Sequence, residues 1–160
     1  MTVDGRTAYI SGAASGIGRA VAQQLAAHGC PVALADQDEA GLSQTAELIA
    51  GPVLARTLDV RDRSAQMDFA AEVADWAPSP LGMVFNNAGV SASQSIAGAL
   101  VEDDDWVLET NFGGIVNGVR AFLPILLRQN EGVIYDDSRT SGEDHLQRRC
   151  GGQEPDHRRT

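Results

Sequence analysis

Lysine is missing from this 160-residue chain: all twelve basic residues are arginine, and any mechanism that needs a lysine ammonium is excluded. Basic residues are also outnumbered by twenty-two acidic ones, giving a formal charge of −10. A nucleic-acid surface is therefore not expected, because phosphate backbones require clustered cations. The two cysteines, Cys30 and Cys150, are too few for a disulfide framework. No run of 18 apolar residues occurs, and Met1 leads directly into strand-like sequence without a signal peptide. The expectation is a cytoplasmic protein with no membrane partner. Only two tyrosines are present, Tyr9 and Tyr135, both in strand-like runs.

What is present is ordinary globular composition, 43% hydrophobic and 21% charged, enough for one domain with a core. The chain is organised around Ser11-Gly-Ala-Ala-Ser-Gly-Ile-Gly18, between the apolar run 7–10 and the helical pattern 19–27. Strand, glycine turn and helix together predict a phosphate cradle. Gly12 permits a sharp exit from the strand, Gly16 permits backbone amides to approach a pyrophosphate, and Gly18 permits close helix packing. The helix N-terminus adds partial positive charge and amide donors. Alone, such a turn is equally explained by backbone conformation.

Pro31–Asp36 reads as a second buried strand ending in a carboxylate, 18 residues beyond Gly18. At that strand tip Asp36 can accept hydrogen bonds from both hydroxyls of an adenosine ribose and would repel a 2′-phosphate, which favours NAD over NADP. A helix cap or loop aspartate is the bland alternative. Helices are expected over 38–50, with Leu42, Ala46 and Ile49 inward, and over 62–76, with Met67, Ala70, Ala71 and Ala74 inward. Strands are expected at 53–58, 81–85 and 132–135. The run Glu102-Asp-Asp-Asp105 opens a long helix to about residue 129, bent or interrupted at Pro124, and reads as dipole compensation instead of a metal site. No metal site is expected. This alternation calls for an α/β doubly wound parallel sheet with right-handed crossovers.

Residues 136–160 break the pattern. Leu146 is their only aliphatic side chain larger than alanine, and they hold five of the twelve arginines with His145 and His157. Such composition predicts a disordered tail. His145, Cys150 and His157 match no usual zinc spacing.

Five ordered motifs resemble the short-chain dehydrogenase/reductase family over residues 3–135: Gly12-x-x-x-Gly16-x-Gly18, Asp36, Asp59-Val60, Asn86-Asn-Ala-Gly89 and Val107-x-x-Thr110-Asn111-x-x-Gly114. The resemblance implies a Rossmann-like fold that binds a dinucleotide through Gly12, Ser15, Gly16, Ile17 and Gly18. It further implies Asp59 and Val60 along the adenine, the backbone of Asn87, Ala88 and Gly89 near the cofactor ribose, and Asn111 in the proton-relay group. A simple turn at Asn86–Asn87 and a helix irregularity near Gly113–Gly114 are the alternatives. The family's activity is hydride transfer between nicotinamide and a small alcohol or carbonyl, using a tyrosine whose pKa is lowered by a lysine four residues on.

That pair is absent. Gly152 and Asp156 stand near its positions, and Ser138-Arg139 replaces the family's paired serines. Tyr135 and Arg139 share the four-residue spacing, but arginine does not relay a proton. The expectation is a Rossmann-like domain over 1–135, incomplete after its fifth strand, and a tail over 136–160 produced by a frame shift or mispredicted gene end. Sequencing the locus tests this; a downstream frame without an encoded Tyr-x-x-x-Lys segment would sink it. As it stands the chain is expected to be catalytically incompetent. A non-catalytic dinucleotide-binding module or partner subunit is the second reading. A fold binding S-adenosylmethionine is the third, and leaves Asn86–Gly89 and Thr110–Asn111 unexplained. The resemblance also implies homo-oligomeric relatives that bury the apolar face of helix 103–129, which in this chain predicts aggregation.

Overall fold

The structure is a computed structural model and describes residues 5–92 and 100–137. Ser138, Arg139, His145, Cys150, Gly152, Asp156 and His157 lie outside the described residues.

In chain order the elements are β1 (Thr7–Ser11), α1 (Gly16–Ala27), β2 (Val32–Asp36), α2 (Glu39–Glu47), β3 (Val53–Thr57), α3 (Arg63–Trp76), β4 (Leu81–Asn86), α4 (Val101–Leu108), a π-helical turn (Glu109–Gly113), α5 (Gly114–Gln129) and β5 (Val133–Asp136). The strands form one parallel sheet in the order β3-β2-β1-β4-β5. This is the Rossmann-like doubly wound arrangement the alternation predicts, with the winding reversing between β1 and β4.

Both sheet faces are covered, so the central strands are apolar throughout instead of alternating with polar residues. The pleat sends successive side chains to opposite sides. On one side Tyr9, Ala33, Ala35 and Val84 pack with Phe69 and Val73 of α3 and Phe122 and Ile125 of α5. On the other, Ala8, Ile10, Val32, Leu34 and Met83 meet Ala22 of α1 and Leu42 of α2. Tyr9 is fully buried, stacked on Phe122 at a centroid distance of 4.1 Å and donating to Gln66 Oε1 at 3.2 Å. Burial pushes its phenol far above the usual tyrosine range.

Local signals set the helix ends. Asp38 caps α2 by accepting from the Gly41 amide at 3.1 Å, and Asp62 caps α3 through Ala65 at 3.0 Å. Such caps are each worth about 1 kcal/mol. Gly29 ends α1 with φ +78°. Glu102, Asp103 and Asp104 lie in the first turn of α4, where acid offsets the helix dipole.

Two expectations are corrected. The inward face of α3 is Gln66, Phe69, Ala70 and Val73, whereas Met67 is 47% exposed and Ala71 and Ala74 also face outward. Gln66 is drawn inside because its Nε2 donates to Val60 O at 3.0 Å and Gly114 O at 3.2 Å, which turns the helix so that Phe69 and not Met67 meets Tyr9. The break in the long helix falls at Glu109–Gly113, not at Pro124, which lies inside α5. Pro124 is exposed, as is Arg120, whose carbonyl is the one left without a donor from position 124.

Candidate functional site

At the carboxyl ends of the strands, beside the point where the winding reverses, lies a crevice lined by Gly12, Asp36, Gln37, Leu58, Asp59, Val60, Ala88, Gly89, Val90 and Thr110. Open parallel sheets bind their ligands at this location. Gly12, Asp36, Asp59, Val60, Ala88 and Gly89, drawn from four separate stretches of sequence, are therefore brought to one crevice. Ser15, Gly16, Ile17, Gly18, Asn87 and Asn111 do not line it.

The glycine turn is held by its neighbours. Gly12 has φ +69°, and a Cβ there would sit 2.8 Å from Asn87 Nδ2 and 2.9 Å from Ala88 Cα. A Cβ on Gly18 would lie 2.1 Å from Gly12 O. Gly18 therefore packs against the turn and Asn87 as well as against the strand. Gly16 has φ +52° with open space around it, so its glycine is required by conformation alone. Ser15 stands at the N-cap of α1 without a side-chain capping bond, and Ser15, Gly16 and Ile17 are exposed. The first amides of α1 have no intrahelical acceptor, and they form the outward-facing donor set an anion would use.

Residues that the sequence did not single out complete the support. Ser11 Oγ accepts the Asn87 amide at 3.0 Å and the Ala88 amide at 3.1 Å, and donates to Phe85 O at 3.4 Å. Asn87 Nδ2 donates to Ser11 O at 3.0 Å. The Asn87 and Ala88 amides expected near a ribose are thus spent in joining β4 to β1. Thr45 Oγ1 donates to Ala13 O at 2.8 Å. Arg19 donates through Nη2 to Ala14 O and through Nε to Thr45 Oγ1 at 2.9 Å. Arg19 escapes a sequence search because its reach runs back beneath the turn to α2.

Asp36 stands at the tip of β2 as expected. Its Oδ2 accepts the Ala14 amide at 2.9 Å and its Oδ1 the Asp38 amide at 3.0 Å. A carboxylate oxygen has about two acceptor positions, so each retains one for a hydroxyl. Asp38, and not Asp36, is the helix cap.

Asp59 is held by Arg61 from the same loop. Arg61 Nη2 lies 2.6 Å from Asp59 Oδ2, Nε lies 2.9 Å from Oδ2 and 3.1 Å from Oδ1, and the Arg61 amide donates to Oδ1 at 2.9 Å. The guanidinium holds the Asp59 carboxyl below the usual range, and the carboxylate in turn raises Arg61. Arg61 Nη1 also approaches Glu109 Oε2 at 3.9 Å, linking this loop to the π turn.

Thr110 and Asn111 both sit in that turn. Asn111 Oδ1 accepts the Val90 amide at 2.8 Å and its Nδ2 donates to Val90 O at 2.9 Å, fixing the segment that leaves β4. Thr110 is 7% exposed, and its hydroxyl has no hydrogen-bond partner among the described residues. π turns recur at functional positions, and Thr110 is one of the residues that line the crevice. Gly114 follows because α5 packs closely there, where a Cβ would lie 2.7 Å from Val60 Cγ2.

The family model described as short chain dehydrogenase matches residues 6–148, beyond the Tyr135 boundary drawn from the motifs. The chain belongs to that family. The putative oxidoreductase SadH of Mycobacterium tuberculosis is 35% identical over 143 residues, covering 87% of this chain and 51% of the relative. A short-chain dehydrogenase/reductase from Burkholderia phymatum solved in complex with NAD superposes with a TM-score of 0.80 at 35% identity, over 84% of this chain and 49% of that one. The alcohol dehydrogenase of Thermococcus sibiricus complexed with 5-hydroxy-NADP gives 0.73 at 27% identity, over 81% and 57%. The chain spans about half the length of the relatives it matches. Among the described residues no helix is long and apolar enough to cross a membrane.

Proposed function

We propose that this chain binds a nicotinamide dinucleotide across the crevice, prefers NAD to NADP, and in the form given does not turn over alcohols or carbonyls. The observation that carries the reading is the convergence of Gly12, Asp36, Asp59–Val60 and Ala88–Gly89 on one crevice at the strand ends.

The exposed amides opening α1 would hold the pyrophosphate, because they are free donors at the positive end of a helix. Asp36 would take the adenosine ribose hydroxyls with its remaining acceptor positions, and its charge disfavours a 2′-phosphate. The nearest cation in sequence, Arg19, is committed to Ala14 O and Thr45 Oγ1. Leu58 and Val60 offer the apolar wall for the base, beside Asp59. When bound, the cofactor supplies hydride transfer at its nicotinamide.

Proton transfer is what the residues present do not supply. Tyr9 is buried in the core with its phenol held protonated, Tyr135 lies on the edge strand stacked on Phe85 at 4.8 Å, and there is no lysine to lower a phenol pKa. Asn111, the relay position by family likeness, has its side chain spent on Val90. Oxidoreductase activity on small alcohols or carbonyls is accordingly assigned to longer, homo-oligomeric relatives. A non-catalytic dinucleotide-binding subunit is the second reading, favoured by the braced turn beside chemically unsuitable tyrosines. A cytoplasmic setting fits either.

Titration of the chain with NADH and NADPH, followed by cofactor fluorescence, tests the reading. Saturable binding that is tighter for NADH, without turnover of any alcohol, is expected. Absence of saturable binding rejects the dinucleotide assignment, and alcohol-dependent NADH formation rejects the claim of incompetence.

A further inference from the structure

Ala14, inside the glycine turn, is held by side chains at both of its backbone groups. Its amide donates to Asp36 Oδ2 at 2.9 Å, and its carbonyl accepts from Arg19 Nη2. The same nitrogen also donates to Gly41 O at 3.2 Å, and Arg19 Nε donates to Thr45 Oγ1 at 2.9 Å. Glycine at position 41 lets α2 come this near, since a Cβ there would lie 3.0 Å from Ala14 O and 2.5 Å from Asp38 Oδ2. Among the described residues the Arg19 guanidinium forms no ion pair. A half-buried cation therefore lies beneath the turn with its hydrogen bonds made to neutral oxygens.

A trans peptide carries its carbonyl and its amide on opposite sides, so the direction of each carbonyl in the turn sets that of the next amide. Thr45 Oγ1 donates to Ala13 O at 2.8 Å, and the amide across that peptide, Ala14's, points to Asp36. Arg19 draws Ala14 O beneath the turn. The amide across the next peptide, Ser15's, then points the other way, to the side on which Ser15, Gly16 and Ile17 are exposed. Two neighbouring peptides are aimed by two different side chains.

We propose that Arg19 is the positioning residue of the pyrophosphate site, aiming the Ser15 amide at the anion and placing an unpaired positive charge beneath it, while Thr45 aims the Ala14 amide at the ribose carboxylate, Asp36. This inference rests on the dinucleotide reading above. Neither side chain touches the ligand: Arg19 acts through the Ala14–Ser15 peptide and Thr45 through the Ala13–Ala14 peptide.

Dissociation constants for NADH, which carries a pyrophosphate, and adenosine, which does not, separate the two actions; NADH is followed by its fluorescence and adenosine by equilibrium dialysis. Arg19→Met should weaken NADH about thirtyfold, the scale of one hydrogen bond to a charged group, and leave adenosine within about twofold. Arg19→Lys keeps a cation and a donor beneath the turn without the planar fork, and should weaken NADH only about threefold, again sparing adenosine. Thr45→Val should weaken both ligands alike, by about fivefold, because the Asp36 contact is common to them. A role confined to bracing the fold would instead lower both affinities in parallel in every variant. Two results overturn the inference while sparing the dinucleotide reading: a ratio of the two constants that neither Arg19 variant alters, or one that Thr45→Val alters as much as Arg19→Met does. Failure of the unaltered chain to bind either ligand overturns both readings.

Discussion

On the β1–β2–α2 flank of the crevice, the backbone of the glycine turn is held by side chains from other segments: Thr45 on Ala13, Arg19 and Asp36 on Ala14, Asn87 on Ser11. The β5–α5 flank is different. Its outer strand pairs with β4 alone among the described residues, and Leu108, Phe112 and Leu127 are each more than 60% exposed. The glycine turn is braced by side chains from several segments, while the other flank, among the described residues, leaves apolar surface and a strand edge uncovered. Binding and self-association should therefore respond to separate sets of substitutions.

The largest effect is expected from Gly18→Ala, because its Cβ has nowhere to go between Gly12 O and Asn87. Overpacking of this kind costs about 1–3 kcal/mol, and NADH titration should show binding lost. Gly16→Ala makes the comparison within the turn: open space leaves only the positive-φ cost, about 1 kcal/mol, visible as a drop of a few degrees in melting temperature. If Gly18→Ala binds as well as Gly16→Ala, the turn is not the braced element described.

Substitution on the opposite flank should change association and not binding. Phe112→Glu with Leu127→Glu should shift the chain from heterogeneous aggregates towards monomer in light scattering while leaving NADH affinity within about twofold, since removing an exposed apolar patch removes the drive to associate. A monodisperse, cooperatively melting monomer before any substitution would break the comparison from that side.

Asp36→Asn removes the charge and keeps one carbonyl acceptor, so only one of the Ala14 and Asp38 amides retains its partner. NADH binding should weaken about tenfold, with NADPH less affected, as charge-assisted bonds are worth roughly twice neutral ones. An unchanged ratio of the two constants would reject the role given to Asp36.

The smallest effect concerns acid. Asp59 is depressed in the folded state, so its contribution is present above the ordinary carboxyl value near 3.8 and is lost as pH falls through the lower folded value. The pair is solvent-exposed, which limits the loss to below about 1 kcal/mol. Stability curves of the chain and of Arg61→Gln should therefore converge below about pH 4 and separate above it.

Much of the fold was legible because it is written locally. A glycine turn between an apolar run and a helical run, capping aspartates at 38 and 62, and Gly29 after α1 each act within a few residues. Asp36 and Asp59–Val60 could be placed because a strand tip at fixed spacing from the turn must reach the same edge of a parallel sheet. Ser11, Thr45, Gln66 and Asn117 could not, since their partners lie up to 77 residues away and a lone polar residue carries no sign of a distant carbonyl. The face of α3 was misread for a related reason. Four small or flexible apolar residues fit a wheel as well as Phe69 and Val73 do, and only a buried glutamine tells them apart.

The π turn carries a consequence beyond its two named side chains. One additional residue in a helix advances its azimuth by about 100° relative to uninterrupted winding, so α4 and α5 cannot be drawn on a common wheel. With the insertion in place Gly114, Gly118 and Phe122 recur every four residues along the line where α5 touches the sheet. Excision of one residue between 109 and 113 would leave composition and length almost unaltered and yet swing that line away from β4, carrying Phe122 out from under Tyr9. The segment is a phase marker for the whole helix, and point changes there are tolerable where a single-residue deletion is not.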